Sequence, residues 1–278
     1  MAARHPAALT LALTLAAGGC AGREEWPRQM TTTALQARPT TRGSWIVDYD
    51  TALVSIARVM DEDLHLPIVP VNLRFYHDRD AFRAALEADG YDGDLAVDAA
   101  SSMTAITGYR RVLLNDAELR GLEWPSRIAL LAHELAHTVQ YELAGGRRGA
   151  SEQWLREGFA EWVEVQVLTA LGFTTPAAAG RIAEDRVGRA GELPSLLAMS
   201  TFSEWVRAGL DAGTDGIYAQ ALLAAGVLVE EHGTPAVLEY FRSFERSDDR
   251  FGNFARAFGQ DLRAFDEAFR ARTAGSPR

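Results

Sequence analysis

The stretch His133-Glu134-Leu135-Ala136-His137 carries the strongest chemical signal in this chain. Pro125 on one side and Gly145-Gly146 on the other bracket a helix over about 125–143. Ile128, Ala132, Leu135 and Val139 share one apolar face of it, and His133 and His137 lie on the opposite face. Residues four apart on a helix are neighbours, with Cβ atoms roughly 5–6 Å apart. Both imidazoles can therefore reach one metal ion at about 2.0–2.1 Å. Glu134, one residue along, is turned away from such an ion and can act as general base on a water beside it. A solvated helix face can carry the same residues by chance, so the reading needs a further ligand.

A catalytic zinc takes three protein ligands and keeps one position open. The run Trp154-Leu155-Arg156-Glu157-Gly158-Phe159-Ala160-Glu161 offers Glu157 as the third, on a second helix over about 152–171. Glu161 and Glu164 follow on the same face. A carboxylate stripe by itself is ordinarily solvated, but Trp154, Phe159 and Trp162 make this helix too aromatic to be wholly exposed. The segment from Gly145-Gly146 to Gly149 supplies a turn that sets the two helices side by side, with their polar faces converging.

His-Glu-x-x-His followed by Trp-Leu-x-Glu-Gly-x-Ala-Glu resembles the gluzincin metallopeptidases, particularly the bacterial peptidase-MA-like families. The resemblance covers roughly residues 67–272, with its specificity in these two motifs. It implies an α+β, thermolysin-like zincin: a small mixed sheet with the active-site helix in one lobe, a helical C-terminal lobe, and a cleft between. It implies Zn²⁺ held by His133, His137 and Glu157, with Glu134 as base and peptide or protein as substrate. It also implies that Glu161 supports a liganding His, as zinc-bound imidazoles usually donate their other N–H to a partner. The family's oxyanion donor is a Tyr or His from the helical lobe. Tyr218, in Gly216-Ile-Tyr-Ala-Gln220, matches the family's Tyr-x-Gln, and His232 is the rival. A His at a helix end before Gly233 also suits the helix C-terminus.

The remaining elements are those that must position these groups. Helical spacing runs from Trp45 to Met60, and Val71, Leu73 and Phe75 alternate with Asn72, Arg74 and Tyr76 as a half-buried strand. A short helix over 80–88 ends at Gly90, residues 91–104 read as loop, and 105–114 reads as a strand. That strand is either interior or, as the resemblance implies, an exposed edge above the active-site helix, able to pair with an extended peptide. Further helices are expected over 177–188, 217–231, 235–244 and 261–272. The division is into an N-terminal α/β lobe, 45–148, and a helical lobe, 149–278.

Net charge is −10, with Arg as the only strong base, which argues against a nucleic-acid partner. Arg4, the apolar run from Leu9 to Ala17 and the small residues after it describe an export signal over 1–19. Ala17-Gly18-Gly19-Cys20 resembles a bacterial lipobox, with Ala17 where Leu is preferred. Lipidated Cys20 would anchor the chain outside the cytoplasmic membrane, with the polar, Thr-rich 20–44 as a tether. No later stretch approaches the ~20 apolar residues of a spanning helix. The single cysteine permits no internal disulfide and disfavours a structural zinc site, which is usually closed by four ligands, mostly Cys. A catalytically silent, lipid-anchored binding module on the same fold is the alternative to an enzyme. The absence of a G-x-M-E-N-like amine-binding motif favours endopeptidase over aminopeptidase action.

Overall fold

The alternation around Val71–Phe75 forms the middle strand of a mixed sheet. The structure, a computed structural model, describes residues 11–13, 28–34, 46–190 and 192–274. Cys20 and the expected cleavage site lie outside them. In chain order the first elements are β1 (Leu11–Leu13), β2 (Arg28–Ala34), α1 (Tyr49–Arg58), β3 (Asn72–Tyr76), α2 (Arg79–Ala88), α3 (Gly93–Ser102), β4 (Ala105–Gly108), β5 (Arg111–Asn115) and α4 (Asp116–Arg120). The strand order is β1-β2-β3-β5-β4, with β3 and β5 parallel and the other pairs antiparallel. Thus β4 is an edge strand.

Four expectations are corrected in this half. The stretch read as one strand over 105–114 is a hairpin, turned at Tyr109-Arg110 with Arg110 at φ 54°; β-forming side chains on both sides hide the turn. The stretch read as loop contains α3, capped by Asp92, whose side chain accepts from the Leu95 N–H. Its buried face is Ala96, Ala99 and Ala100, too small to mark a periodicity, while Leu95 and Val97 are exposed. Tyr76, assigned to a solvated face, is buried beside Phe82, because α2 and α3 cover that side of the sheet. Finally, the segment read as a tether includes β2, which pairs with β3 from Arg28↔Phe75 to Thr31↔Asn72 and also with β1. Backbone pairing of this kind needs no apolar pattern.

From Trp124 the chain is helical: α5 (Trp124–Leu143), α6 (Gln153–Ala170), α7 (Pro176–Arg189), α8 (Phe202–Ala212), α9 (Thr214–Ser243), α10 (Arg250–Phe258) and α11 (Leu262–Ala274). Ile128, Ala132, Leu135 and Val139 are buried as expected. Helices α8 and α10 add to those read from the sequence. The break expected at Gly233 exists as a kink inside α9, with φ 79° and ψ 158°. One apolar cluster runs from Ile46 to Phe269, so the sheet side and the helical side share a core. By length and composition α9 could cross a membrane, contrary to the sequence reading, but it buries Ile217, Ala221, Ala224, Ala225 and Leu228 in that core.

Gly158 sets how closely two of these helices approach. A Cβ there would stand 2.1 Å from the carbonyl oxygen of Ala221, on α9. Gly226, also in α9, has open space around the same position. Gly158→Ala should therefore push α6 from α9 and cost at least about 1–3 kcal/mol, lowering Tm by several degrees. Gly226→Ala should leave stability unchanged or raise it by up to about 1 kcal/mol. Thermal unfolding of the two variants checks this; equal Tm values would contradict the packing constraint.

Candidate metal centre

Positive-φ glycines end α5 and turn the chain into α6: Gly145 at 67°, Gly146 at 82° and Gly149 at 66°. The two helices then run together with Trp154, Leu155 and Phe159 buried on the core side of α6. His133 and Glu157 are buried, and the His137 side chain is nearly so.

The polar tips converge on one point. His133 Nε2 lies 3.1 Å from His137 Nε2 and 3.3 Å from Glu157 Oε2, and His137 Nε2 lies 3.5 Å from the same oxygen. A tetrahedral ion with bonds of about 2.0–2.1 Å needs ligand atoms about 3.3–3.4 Å apart. Three near-equal separations of that size form a triangle around a common centre. The trio could hold a metal ion.

The far side of each ligand is also held. His133 Nδ1 faces Glu161 Oε1 at 3.3 Å and Glu164 Oε2 at 4.0 Å. His137 Nδ1 meets Gln140 Oε1 at 3.0 Å, and the Gln140 amide donates to the Arg156 carbonyl at 2.8 Å. Glu157 Oε1 accepts from Gln153 Nε2 at 2.6 Å, leaving Oε2 directed at the imidazoles. These contacts fix ring orientation and tautomer, which tunes a metal site. Glu161, which the resemblance names as the support of a liganding His, lies against His133 Nδ1. Gln140 and Gln153 were missed, although each sits at helical spacing from the ligand it holds, which was a usable signal.

Electrostatics match this arrangement. Burial pulls the His133 imidazole down, but its hydrogen bonds to Glu157 and Glu161 outweigh that and hold it well above its ordinary value. Burial pushes Glu157 up, yet the charge of His137 and the hydrogen bond from His133 keep it well below the carboxylate range. Burial and neighbouring Glu161 push Glu164 up to about 7. The centre therefore favours a cation among the three carboxylates.

Glu134 is buried, and its Oε2 accepts a hydrogen bond from the Thr107 hydroxyl of β4. No local pattern in the sequence could link that strand residue to the helix. Tyr218 lies on α9 with its ring 6.2 Å from that of His133. Burial, then Glu157 and Glu161, raise its phenol far above the ordinary range, so it stays protonated. Trp205 packs edge-on against it at 4.9 Å. His232 is elsewhere: it meets Gln260 at 3.1 Å and packs on Phe258. Gln220, of the Tyr-x-Gln pattern, ties α9 to the Pro194 carbonyl and does not enter the centre.

The chain matches no protein-family model, no curated protein and no solved structure.

A divalent metal must displace the proton that His133 holds in the metal-free protein. With the folded value raised, affinity should climb about tenfold per pH unit below it and level off above it. Gln140→Ala and Gln153→Ala should each weaken binding roughly 10–100-fold. Calorimetric titrations across pH check both; a pH-independent affinity would contradict the arrangement.

Proposed function

We propose that this chain is a zinc-dependent metallopeptidase that hydrolyses peptide bonds with water as nucleophile. The observation that carries the reading is the triangle of His133 Nε2, His137 Nε2 and Glu157 Oε2, 3.1–3.5 Å on a side, with Glu134 and Tyr218 beside it. Two imidazoles and one carboxylate form a ligand set suited to catalytic zinc. The resemblance to gluzincins rests on the same residues and supports a thermolysin-like arrangement.

Zinc at this site supplies a Lewis acid that polarises the scissile carbonyl and lowers the pKa of water. Glu134 takes the proton of the attacking water and delivers it to the leaving amine. The Thr107 hydroxyl holds that carboxylate in place from the strand side. Tyr218, kept protonated by burial and nearby carboxylates, donates to the oxyanion that develops on the carbonyl. The edge strand β4, which carries Thr107, receives an extended substrate by backbone pairing. The leader and Cys20 support a location outside the cytoplasmic membrane, held by acyl chains.

Glu134→Gln should keep zinc and lose turnover by roughly 10²–10⁴-fold. Tyr218→Phe should lower kcat by roughly 10²–10³-fold. Peptide hydrolysis assays with zinc quantified in each variant check this. A fully active Glu134→Gln protein would refute the assigned base. A wild-type protein that binds zinc but cleaves nothing in a broad peptide library would favour the silent binding module.

A further inference from the structure

A cavity of about 190 Å³ lies against β4, with Thr107, Ile106, Leu113, Tyr91, Tyr141 and the ion-paired Asp89 and Arg111 in its wall. Thr107 faces α5 and the base, whereas Ile106 and Leu113 pack with the cluster of α2 and α3 on the other face of the sheet. A cavity lined from both faces straddles the strand's free edge. It also shares a residue with the catalytic base.

Tyr141 connects this cavity to two arginines. The Arg156 guanidinium stacks 5.2 Å from the Tyr141 ring centre and donates to the Arg148 carbonyl and to Ser151 Oγ. It is 3% exposed. Arg148 is exposed, rests over the Phe202 ring at 5.1 Å, and donates to Gln153 Oε1 at 2.6 Å. Through Gln153 it is one side chain removed from Glu157.

Among the described residues neither of these guanidiniums pairs with a carboxylate. Elsewhere that pairing is common, as for Arg58, Arg79, Arg83, Arg110, Arg111 and Arg147. The chain as a whole carries −10, so two cations left together beside the centre stand out. Arg156 is buried against Tyr141 in the cavity wall and is bonded to the backbone of Arg148, whose own guanidinium stays exposed. An exposed, pre-oriented guanidinium with no carboxylate partner suits an incoming carboxylate.

We propose that the corner formed by Arg148, Arg156 and Tyr141 receives a carboxylate of the substrate, so that the chain acts on peptides with an acidic side chain or a free C-terminus beside the scissile bond. The inference rests on the peptidase reading above. Tyr141 lines the pocket, Arg148 makes the contact, and Arg156 contributes its buried charge.

The test uses matched peptides that differ only in Glu versus Gln beside the cleaved bond, or only in a free versus amidated C-terminus. The two pairs distinguish side-chain from terminal carboxylate. For the zinc-loaded full chain, kcat/KM should favour the carboxylate member of one pair by roughly tenfold or more. Arg148→Gln should bring that ratio to about one, and Arg148→Lys should restore part of it. A wild-type ratio near one, or a ratio unchanged in Arg148→Gln, overturns the inference. So does an equal loss on both members, which would mean that Arg148 acts only through Gln153. The same peptides titrated into the Glu134→Gln protein give a ratio of Kd values independent of turnover. If no peptide is cleaved, the peptidase reading fails, and equal Kd values in this titration would overturn the carboxylate site as well.

Discussion

A carboxylate buried between two imidazoles is the constraint on which this structure turns. Removing Glu157 from water is costly unless positive charge lies within bonding reach. In the metal-free protein His133 supplies that charge, and a metal ion at the same point would supply it more completely. Much of the surrounding arrangement preserves the convergence. Gln153, Gln140 and Glu161 each hold the far atom of one of the three converging side chains. Gly158 lets α9 approach α6 closely enough for Tyr218 to stand beside the same carboxylate.

The groups to which we assign a chemical role come from separate parts of the chain, each on a rigid element. In the proposed reading, two ligands and the base lie on α5, the third ligand on α6, the phenol on α9, and the hydroxyl that holds the base on β4. No single helix could present a base and an oxyanion donor to the same point. The shared core that joins sheet and helices is therefore part of the site's geometry as well as of the fold's stability.

The local part of this architecture was legible in the sequence. The helix bearing His133 and His137, its buried face, the turn at Gly145-Gly146 and the second helix with Glu157 all follow from periodicity and glycine placement. What escaped was non-local or carried by small side chains. Thr107 reaches Glu134 through tertiary packing alone, and α3 buries alanines that leave no strong stripe. The hairpin at Tyr109-Arg110 is masked by β-formers on both sides of the turn. The pairing of β2 with β3 uses backbone groups, to which composition is blind.

X-ray absorption at the zinc edge, on the full chain loaded with one equivalent, reads the coordination shell itself. Two imidazole nitrogens and at least one oxygen are expected at about 2.0–2.1 Å, with no sulfur. The imidazole signal should fall when either His133 or His137 is replaced. A sulfur shell, or an unchanged spectrum in both variants, would place the metal elsewhere and rule out His133, His137 and Glu157 as its ligands.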